Sequence, residues 1–276
     1  MKAEAQAPGL LAALVAEAER RVAGARTSRR ELELRAARAP EPPDFAAALS
    51  AGPAVAVIAE IKRRSPSAGA LWREADVVVL AGKLESAGAA ALSVLTEPAH
   101  FGGTLDDLSR VTAAVRLPVL RKDFTIDPIQ LYEARAYGAA AVLLIVRILE
   151  PGRLAELAAA ARALGLATLV EVHGPAELAA ALAAEPTAVG VNARDLDTLA
   201  MRRDLVEALI REVPAGRIAV AESGLSTRAD VESVAARGAD SVLIGAAIAG
   251  APDPAAALRA LTGVPRRPAG RPVRRA

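Results

Sequence analysis

The chain has 276 residues, 53% hydrophobic but only 2% aromatic, which suits one large α/β unit with a core of Ala, Val, Leu and Ile. Cysteine is absent, which excludes disulfides, thiolate zinc sites and cysteine nucleophiles, and two histidines are too few for most imidazole metal sites. The net charge of +2 is uneven, because five arginines and no acid lie between Val264 and Ala276; the remainder is net negative and gives no support for nucleic-acid binding.

Residues 1–50 are expected to form a helical extension. From Leu10 to Arg38 apolar residues recur at helical spacing, and a group of three prolines then stops the helix before a short segment at Phe45–Leu49. The N-terminus lacks the basic and apolar regions of a secretory signal, and no stretch approaches ~20 apolar residues. We therefore expect a cytoplasmic protein that neither crosses nor binds a membrane.

From residue 55 onward, short apolar runs alternate with helix-like segments. The runs predict eight strands, at Val55–Ile61, Ala90–Leu95, Pro118–Leu120, Ala140–Val146, Thr168–Val172, Ala188–Val191, Ile218–Ala221 and Ser241–Ile244. The segments predict eight helices, at Glu74–Ser86, Leu105–Val115, Pro128–Tyr137, Pro151–Leu164, Pro175–Ala183, Arg203–Glu212, Arg228–Ala236 and Pro254–Leu261.

Four of the helix-to-strand joins carry a glycine where a left-handed C-cap is easiest to form, at Gly88, Gly138, Gly165 and Gly238. Eight such units predict a single closed parallel (β/α)8 barrel over residues 51–263. A doubly wound open sheet is the rival, but it rarely needs eight equal units and has no use for the N-terminal helices. Residues 264–276 are expected to be a basic, disordered tail.

Polar residues interrupt or follow five of the predicted strands at their carboxyl ends, which meet at one rim of a parallel barrel. One charge at a strand end is often part of a loop ion pair, and a barrel can hold a structural Lys–Glu pair. Several charges in one mouth are unfavourable unless binding or catalysis uses them. They are Glu60 and Lys62, then Lys122, Glu171, Asn192 and Arg194, and finally Glu222 and Ser223.

A phosphate site is predicted beside this rim. Ser223-Gly224 follows the seventh strand and Gly245-Ala246 the eighth, and in barrels these loops often hold a phosphate on backbone N–H groups. The alternative is two ordinary strand-to-helix turns. Metal binding by His100 or His173 is not expected, and Trp72 and Phe101 could either cover an aromatic substrate or pack a loop.

At these motifs the sequence closely resembles the indole-3-glycerol-phosphate synthase family. The strings Glu-x-Lys-x-x-Ser-Pro-Ser at 60–67 and Arg-Lys-Asp-Phe at 121–124 are together highly specific. The resemblance covers roughly residues 10 to 263, and the matching segments are 58–67, 92–97, 101–103, 120–124, 169–172, 190–196, 221–224 and 242–245.

The resemblance implies a TIM barrel with N-terminal helices over the catalytic mouth. It implies a carboxy-lyase of tryptophan biosynthesis that converts 1-(2-carboxyphenylamino)-1-deoxyribulose 5-phosphate to indole-3-glycerol phosphate, carbon dioxide and water, with no cofactor and no metal. The phosphorylated substrate is the only partner expected, and the protein is expected to be a monomer, with a weak dimer as the alternative.

Matching positions imply the site residues. The catalytic set is Glu60, Lys62, Lys122, Glu171, Asn192 and Ser223. The substrate-binding set is Ser65, Phe101, Phe124, Arg194 and Glu222. The phosphate-binding set is Lys62, Ser223, Gly224, Gly245 and Ala246.

Chemistry suggests roles within these sets. Attack of a ring carbon on the ribulose carbonyl needs a proton donor, for which Lys122 is the candidate, with a pKa expected to be lowered by Lys62 or Arg121. Dehydration needs an acid and a base, and Glu171 and Glu60 are the candidates. Lys62 and Arg194 are expected to neutralise the substrate's carboxylate or phosphate, and Asn192 to orient its hydroxyls and amine.

Two positions depart from the family pattern. Ala246 stands where Ser or Glu is common, so only its backbone could serve the phosphate, and Ala193 replaces a usual Asn or Ser.

Two other functions stay open from the sequence. One is a related phosphate-binding barrel such as a phosphoribosylanthranilate isomerase, and the other is a non-catalytic barrel scaffold whose basic tail docks to an acidic partner.

Overall fold

The computed structural model describes residues 9–65, 69–71, 76–195 and 197–267. Eight parallel strands close into a barrel, because the first pairs with both the second and the last. They are β1 (Ala56–Ile61), β4 (Ala91–Leu95), β5 (Val119–Lys122), β6 (Ala141–Ile145), β7 (Ala167–Val172), β8 (Ala188–Asn192), β9 (Ile218–Glu222) and β10 (Ser241–Ile244). A short antiparallel ribbon, β2 (Arg64–Ser65) and β3 (Gly69–Ala70), follows β1. The predicted (β/α)8 barrel is confirmed.

Eight helices surround the strands, close to the predicted positions. They are α4 (Val77–Ser86), α6 (Leu105–Ala114), α7 (Pro128–Ala136), α8 (Pro151–Ala163), α9 (Pro175–Ala183), α10 (Arg203–Glu212), α11 (Arg228–Ala236) and α13 (Pro254–Leu261). The short helices α5 (Pro98–Phe101) and α12 (Ala246–Ala249) lie in loops after β4 and β10. The four expected C-cap glycines all have left-handed backbones, with φ between 71° and 100°.

Strand alternation divides the core into two layers. In β1, Val57, Ala59 and Ile61 face the helices, whereas Ala56 and Ile58 fill the barrel interior. Glu60 continues the inward row, and the same register puts a polar residue at the last inward position of β5, β7, β8 and β9. The barrel is therefore apolar at its base and polar at its carboxyl rim.

The N-terminal helices cover both ends of the barrel. Helix α1 (Leu10–Ala25) lies at the carboxyl rim, where Leu10 and Leu14 line a cavity. Helix α2 (Arg29–Arg38) packs along α7, and the guanidinium of Arg35 lies 4.6 Å from the ring centroid of Tyr137.

Helix α3 (Phe45–Ser50) lies at the opposite, amino-terminal end, where Phe45 and Leu49 join the interior cluster. The expectation that the whole of residues 1–50 lies over the mouth is therefore wrong for α3. Its apolar face closes the base of the barrel instead.

The expected disorder from residue 264 is also wrong for residues 264–267. Val264 is buried, and Arg266 donates to the backbone oxygens of Leu49, Ser50 and Ala54. These bonds tie the end of α3 to the start of β1. The rest of the predicted tail lies outside the described residues. Within the described ranges, no helix is long and apolar enough to cross a bilayer.

Candidate active site

A cavity of about 440 Å³ opens at the carboxyl rim of the barrel. The last inward residues of five strands form its floor, and helix α1 together with the loops after β1, β4, β5, β8, β9 and β10 forms its walls. Every residue of the three predicted site sets lines it, namely Glu60, Lys62, Ser65, Phe101, Lys122, Phe124, Glu171, Asn192, Arg194, Glu222, Ser223, Gly224, Gly245 and Ala246.

Lys122 occupies the centre of the floor. Its Nζ lies 3.4 Å from Oε2 of Glu171 and 3.7 Å from Oε2 of Glu222. Burial alone would lower the pKa of Lys122, but the charges of Glu171, Glu222 and Glu60 outweigh it and raise the pKa above its usual value. The expected lowering is therefore wrong, because carboxylates rather than cations surround the ammonium group.

Arg121, one of the two cations expected to act on Lys122, faces away from the cavity. Its guanidinium is fully buried and donates to the carbonyl of Gln130, to Thr96 and to Asp123. Strand alternation explains this placement, since neighbouring residues of β5 point to opposite faces.

The carboxylates of the floor divide into two kinds. Burial disfavours the charge of Glu171, yet Lys122 and His173 outweigh it and lower the pKa of Glu171. Burial together with the charge of Glu171 raises the pKa of Glu222 to about 8, because Lys122 offsets it only in part. The surroundings therefore favour the ionised form of Glu171 and the protonated form of Glu222.

Glu60 and Lys62 form an ion pair at one side of the floor, with 2.5 Å between Nζ and Oε1. Burial opposes the charge of Glu60, but Lys62 and Lys122 prevail and lower the pKa of Glu60. A side chain on Gly245 would overlap the Glu60 carboxylate, so this corner accepts only glycine after β10.

Asn192 and Arg194 hold the loop after β8. The Asn192 side chain accepts from the backbone N–H of Arg194 at 2.9 Å and helps to lower the pKa of Glu171. The Arg194 guanidinium lies 3.4 Å from the backbone oxygen of Leu199, which also lines the cavity.

One wall of the cavity is apolar and partly aromatic. The rings of Phe101 and Phe124 lie 6.3 Å apart between centroids at 35°, and Leu10, Leu14 and Leu143 continue the wall. Such a surface suits a flat aromatic ring. Trp72, the other aromatic candidate, lies outside the described residues.

The opposite wall is built from backbone. Ser223 and Gly224 both have left-handed conformations, with φ of 64° and 71°, which is unusual for serine. Gly245 precedes α12, in which the N–H groups of Ile248 and Ala249 donate to the carbonyl of Gly245, so those of Ala246 and Ala247 remain at the start of the helix. A side chain on Gly224 would crowd Met201 and Arg203.

Sequence reasoning missed two contributors to the site. Arg203 lines the cavity beside Gly224, and its Nη1 lies 2.9 Å from Asp230. The sequence predicts that a helix begins at Arg203 but does not indicate a role for its side chain. Asp123 belongs to the Arg-Lys-Asp-Phe string but had no predicted role of its own. It accepts a hydrogen bond from Arg121 and two from Arg21 of α1, at 2.9 and 2.8 Å.

The histidines lie apart from one another. His100 is 3.5 Å from Glu97 in the loop after β4, and His173 is buried at the end of β7. Among the described residues, no group of three or more His, Asp or Glu side chains is arranged to hold a metal ion.

Known proteins of one family match most of the length of this chain. A family model described as indole-3-glycerol phosphate synthase matches residues 11–261. The indole-3-glycerol phosphate synthase of Parafrankia sp. is 51% identical over 228 residues, which cover 83% of this chain and 85% of the relative. Indole-3-glycerol phosphate synthase 2 of Streptomyces coelicolor is 47% identical over 257 residues, covering 92% and 99%.

Solved structures with similar architecture are more distant. The 3-hexulose-6-phosphate synthase from Salmonella typhimurium superposes with a TM-score of 0.60 at 15% identity, over 75% of this chain and 96% of that one. Thiamine phosphate pyrophosphorylase from Pyrococcus furiosus gives 0.58 at 16% identity, over 79% and 96%. These likenesses show the fold alone, whereas the family model and the relatives show that the chain belongs to the indole-3-glycerol phosphate synthase family.

Proposed function

We propose that this chain is a carboxy-lyase that catalyses the reaction for which its family is named. The substrate would be 1-(2-carboxyphenylamino)-1-deoxyribulose 5-phosphate, and the products indole-3-glycerol phosphate, carbon dioxide and water. The observation that carries the proposal is the floor of the cavity, where Lys122 lies 3.4 Å from Glu171 and 3.7 Å from Glu222.

Ring closure needs an acid at the ribulose carbonyl. The ring carbon that bears the carboxylate forms a bond to this carbonyl carbon, and the carbonyl oxygen takes a proton to become a hydroxyl group. Lys122 would donate that proton, since its raised pKa keeps it charged at neutral pH. The C–CO₂ bond then breaks, carbon dioxide leaves, and its electron pair restores the aromatic ring.

Dehydration needs a base and an acid. The new hydroxyl group leaves as water with a donated proton, while a base removes the proton from the neighbouring carbon to form the indole double bond. The lowered pKa values of Glu60 and Glu171 make both of them bases rather than acids at neutral pH. The ammonium group of Lys62, beside Glu60, is our candidate for the acid.

The two ends of the substrate differ, and so do the walls of the cavity. The anilino ring would lie against Phe101 and Phe124, with Arg194 near its carboxylate. The phosphate would lie on the backbone after β9 and β10, with Lys62 and Arg203 supplying positive charge. Arg203 offers a cationic side chain on the rim where Ala246 offers only backbone.

The test is turnover by the purified full chain. Incubation with the anilino-ribulose phosphate should produce indole fluorescence, and Lys122→Ala should lower kcat at least ~100-fold without unfolding the protein, as loss of a general acid predicts. Lys83→Ala, an exposed lysine on α4, is the matched control and should retain full activity. Absence of indole product, together with turnover of phosphoribosylanthranilate, would reject the proposal.

A further inference from the structure

His173 lies two residues beyond Glu171 at the end of β7, behind the floor of the cavity. Only 6% of its surface is exposed, so its imidazole meets protein groups on nearly every side. A buried imidazole with charged neighbours either only packs in the core or also influences the charges of the site. Its contacts distinguish these possibilities.

The first contact is with Glu171. Nε2 of His173 lies 3.2 Å from Oε1 of Glu171, while Lys122 approaches the other oxygen, Oε2, at 3.4 Å. The carboxylate is thus held between two nitrogen groups, one at each oxygen. Rotation about its terminal bond would break both contacts at once.

The second contact runs outward. Nδ1 of His173 lies 3.5 Å from Glu177 at the start of α9, and Glu177 accepts the backbone N–H of His173 at 2.7 Å. Arg147 joins Glu177 to Asp195, at 3.0 Å from each. Asp195 in turn accepts from the backbone N–H groups of residues 197 and 198, in the loop that brings Leu199 to the cavity.

We propose that His173 is a positioning residue, held between Glu171 and Glu177, that orients Glu171 and favours its ionised form for proton abstraction. The inference rests on the proposed function, because Glu171 is one of the two carboxylates proposed as bases in that reaction. His173 does not itself need to touch the substrate.

The electrostatics agree with this role. Burial alone would lower the pKa of His173, but Glu171 and Glu177 outweigh both burial and the repulsion from Arg147, and they raise the pKa to about 9. The other groups facing Glu171 are Lys122 from β5, Asn192 from β8, Glu222 from β9 and Glu60 from β1. At neutral pH His173 therefore carries a charge, and it loses that charge only as the pH passes about 9.

The test compares His173→Asn with His100→Asn across pH. His100 is the other histidine of the chain and also lies beside a glutamate, Glu97, but away from the floor. We expect His173→Asn to lower kcat about tenfold or more at pH 7, with KM little changed, as misplacement of a reacting group predicts. The deficit should shrink above pH 9, because the wild type then loses the same charge. His100→Asn should behave as wild type.

Other outcomes would overturn the proposal. An unchanged kcat in His173→Asn removes the role entirely. A decrease in kcat of the same size at every pH indicates that His173 contributes only packing, since a packing defect does not depend on the charge of the imidazole.

Histidine NMR of the wild type provides a readout that needs neither turnover nor a stable His173 variant. One of the two imidazoles should titrate near pH 9, and Glu177→Gln should move that titration toward lower pH while keeping an acceptor for the His173 N–H. Titration of both histidines near ~6.5 contradicts the proposal. If the wild type forms no indole product but one histidine still titrates near 9, the proposed function fails while the ion pair stands.

Discussion

Replacement of Arg21 by methionine should loosen α1 from the rim of the barrel. The Arg21–Asp123 pair has two charge-assisted hydrogen bonds of 2.9 and 2.8 Å, with Asp123 fully buried and the Arg21 side chain 22% exposed. Two such bonds would contribute about 3–6 kcal/mol in isolation. Asp123 keeps Arg121, Thr96 and a backbone N–H as partners, so we expect a loss of about 2–3 kcal/mol.

Arg20→Met is the matched control. Arg20 is the preceding residue of the same helix, but its side chain is 68% exposed and pairs only with Glu17 one turn away. Such a surface pair contributes about 0.3–0.5 kcal/mol. In urea, a loss of 2–3 kcal/mol should lower the midpoint by about 1 M for Arg21→Met, whereas Arg20→Met should shift it barely at all.

Two further readouts extend this test. Leu10 and Leu14 line the cavity, so Arg21→Met should also raise KM. Arg121 and Arg21 lower the pKa of Asp123 against the effect of burial, so the pair contributes fully above about pH 4 and is lost only as the pH falls through the lowered value. Equal midpoints for the two variants at pH 7 would refute the assignment of Arg21 as the residue that docks α1.

Three other changes test the floor and the rim. Gly190→Ala should lower kcat at least tenfold in a steady-state assay, because its methyl group would overlap Glu222, whereas Gly152→Ala at an exposed position of α8 should leave activity unchanged. Arg203→Gln should raise KM about three- to tenfold and weaken the dependence of KM on salt. An unchanged KM would contradict the proposed contact between Arg203 and the phosphate. Glu222→Gln should stabilise the fold increasingly, relative to the wild type, as pH rises from about 5 to 8, since ionising the buried Glu222 opposes folding. A difference between the urea midpoints of variant and wild type that is the same at all pH values would disprove this.

The sequence predicted the barrel well because its signals are local. Apolar runs, N-cap residues and C-cap glycines each depend on a few neighbouring residues, and the alternation of strand and helix repeats eight times. The strand ends were less accurate: the predicted strands stop at Leu120, Val191 and Ala221, whereas β5, β8 and β9 continue through Lys122, Asn192 and Glu222. Polar residues interrupt the apolar pattern at the points where the strands reach the cavity.

Features that depend on distant residues could not be read in the same way. The position of α3 under the barrel follows from packing of Phe45 and Leu49 into the interior, not from its own short pattern. The predicted direction of the pKa shift of Lys122 was wrong because Arg121, its neighbour in sequence, points away from the cavity, whereas Glu171 and Glu222 are its neighbours in space. Charge balance in a site depends on which side chains share it.

The seam between α2 and α7 has a practical use in spectroscopy. The chain has two tyrosines, Tyr132 on α7 and Tyr137 directly after it, and both pack against Leu32 and Val22 of the N-terminal helices. Ultraviolet difference absorbance of tyrosine therefore reports on one place in the molecule. Detachment of the N-terminal helices should change the tyrosine signal while the circular dichroism of the barrel persists. Detachment of these helices and unfolding of the barrel could then be followed separately in one sample.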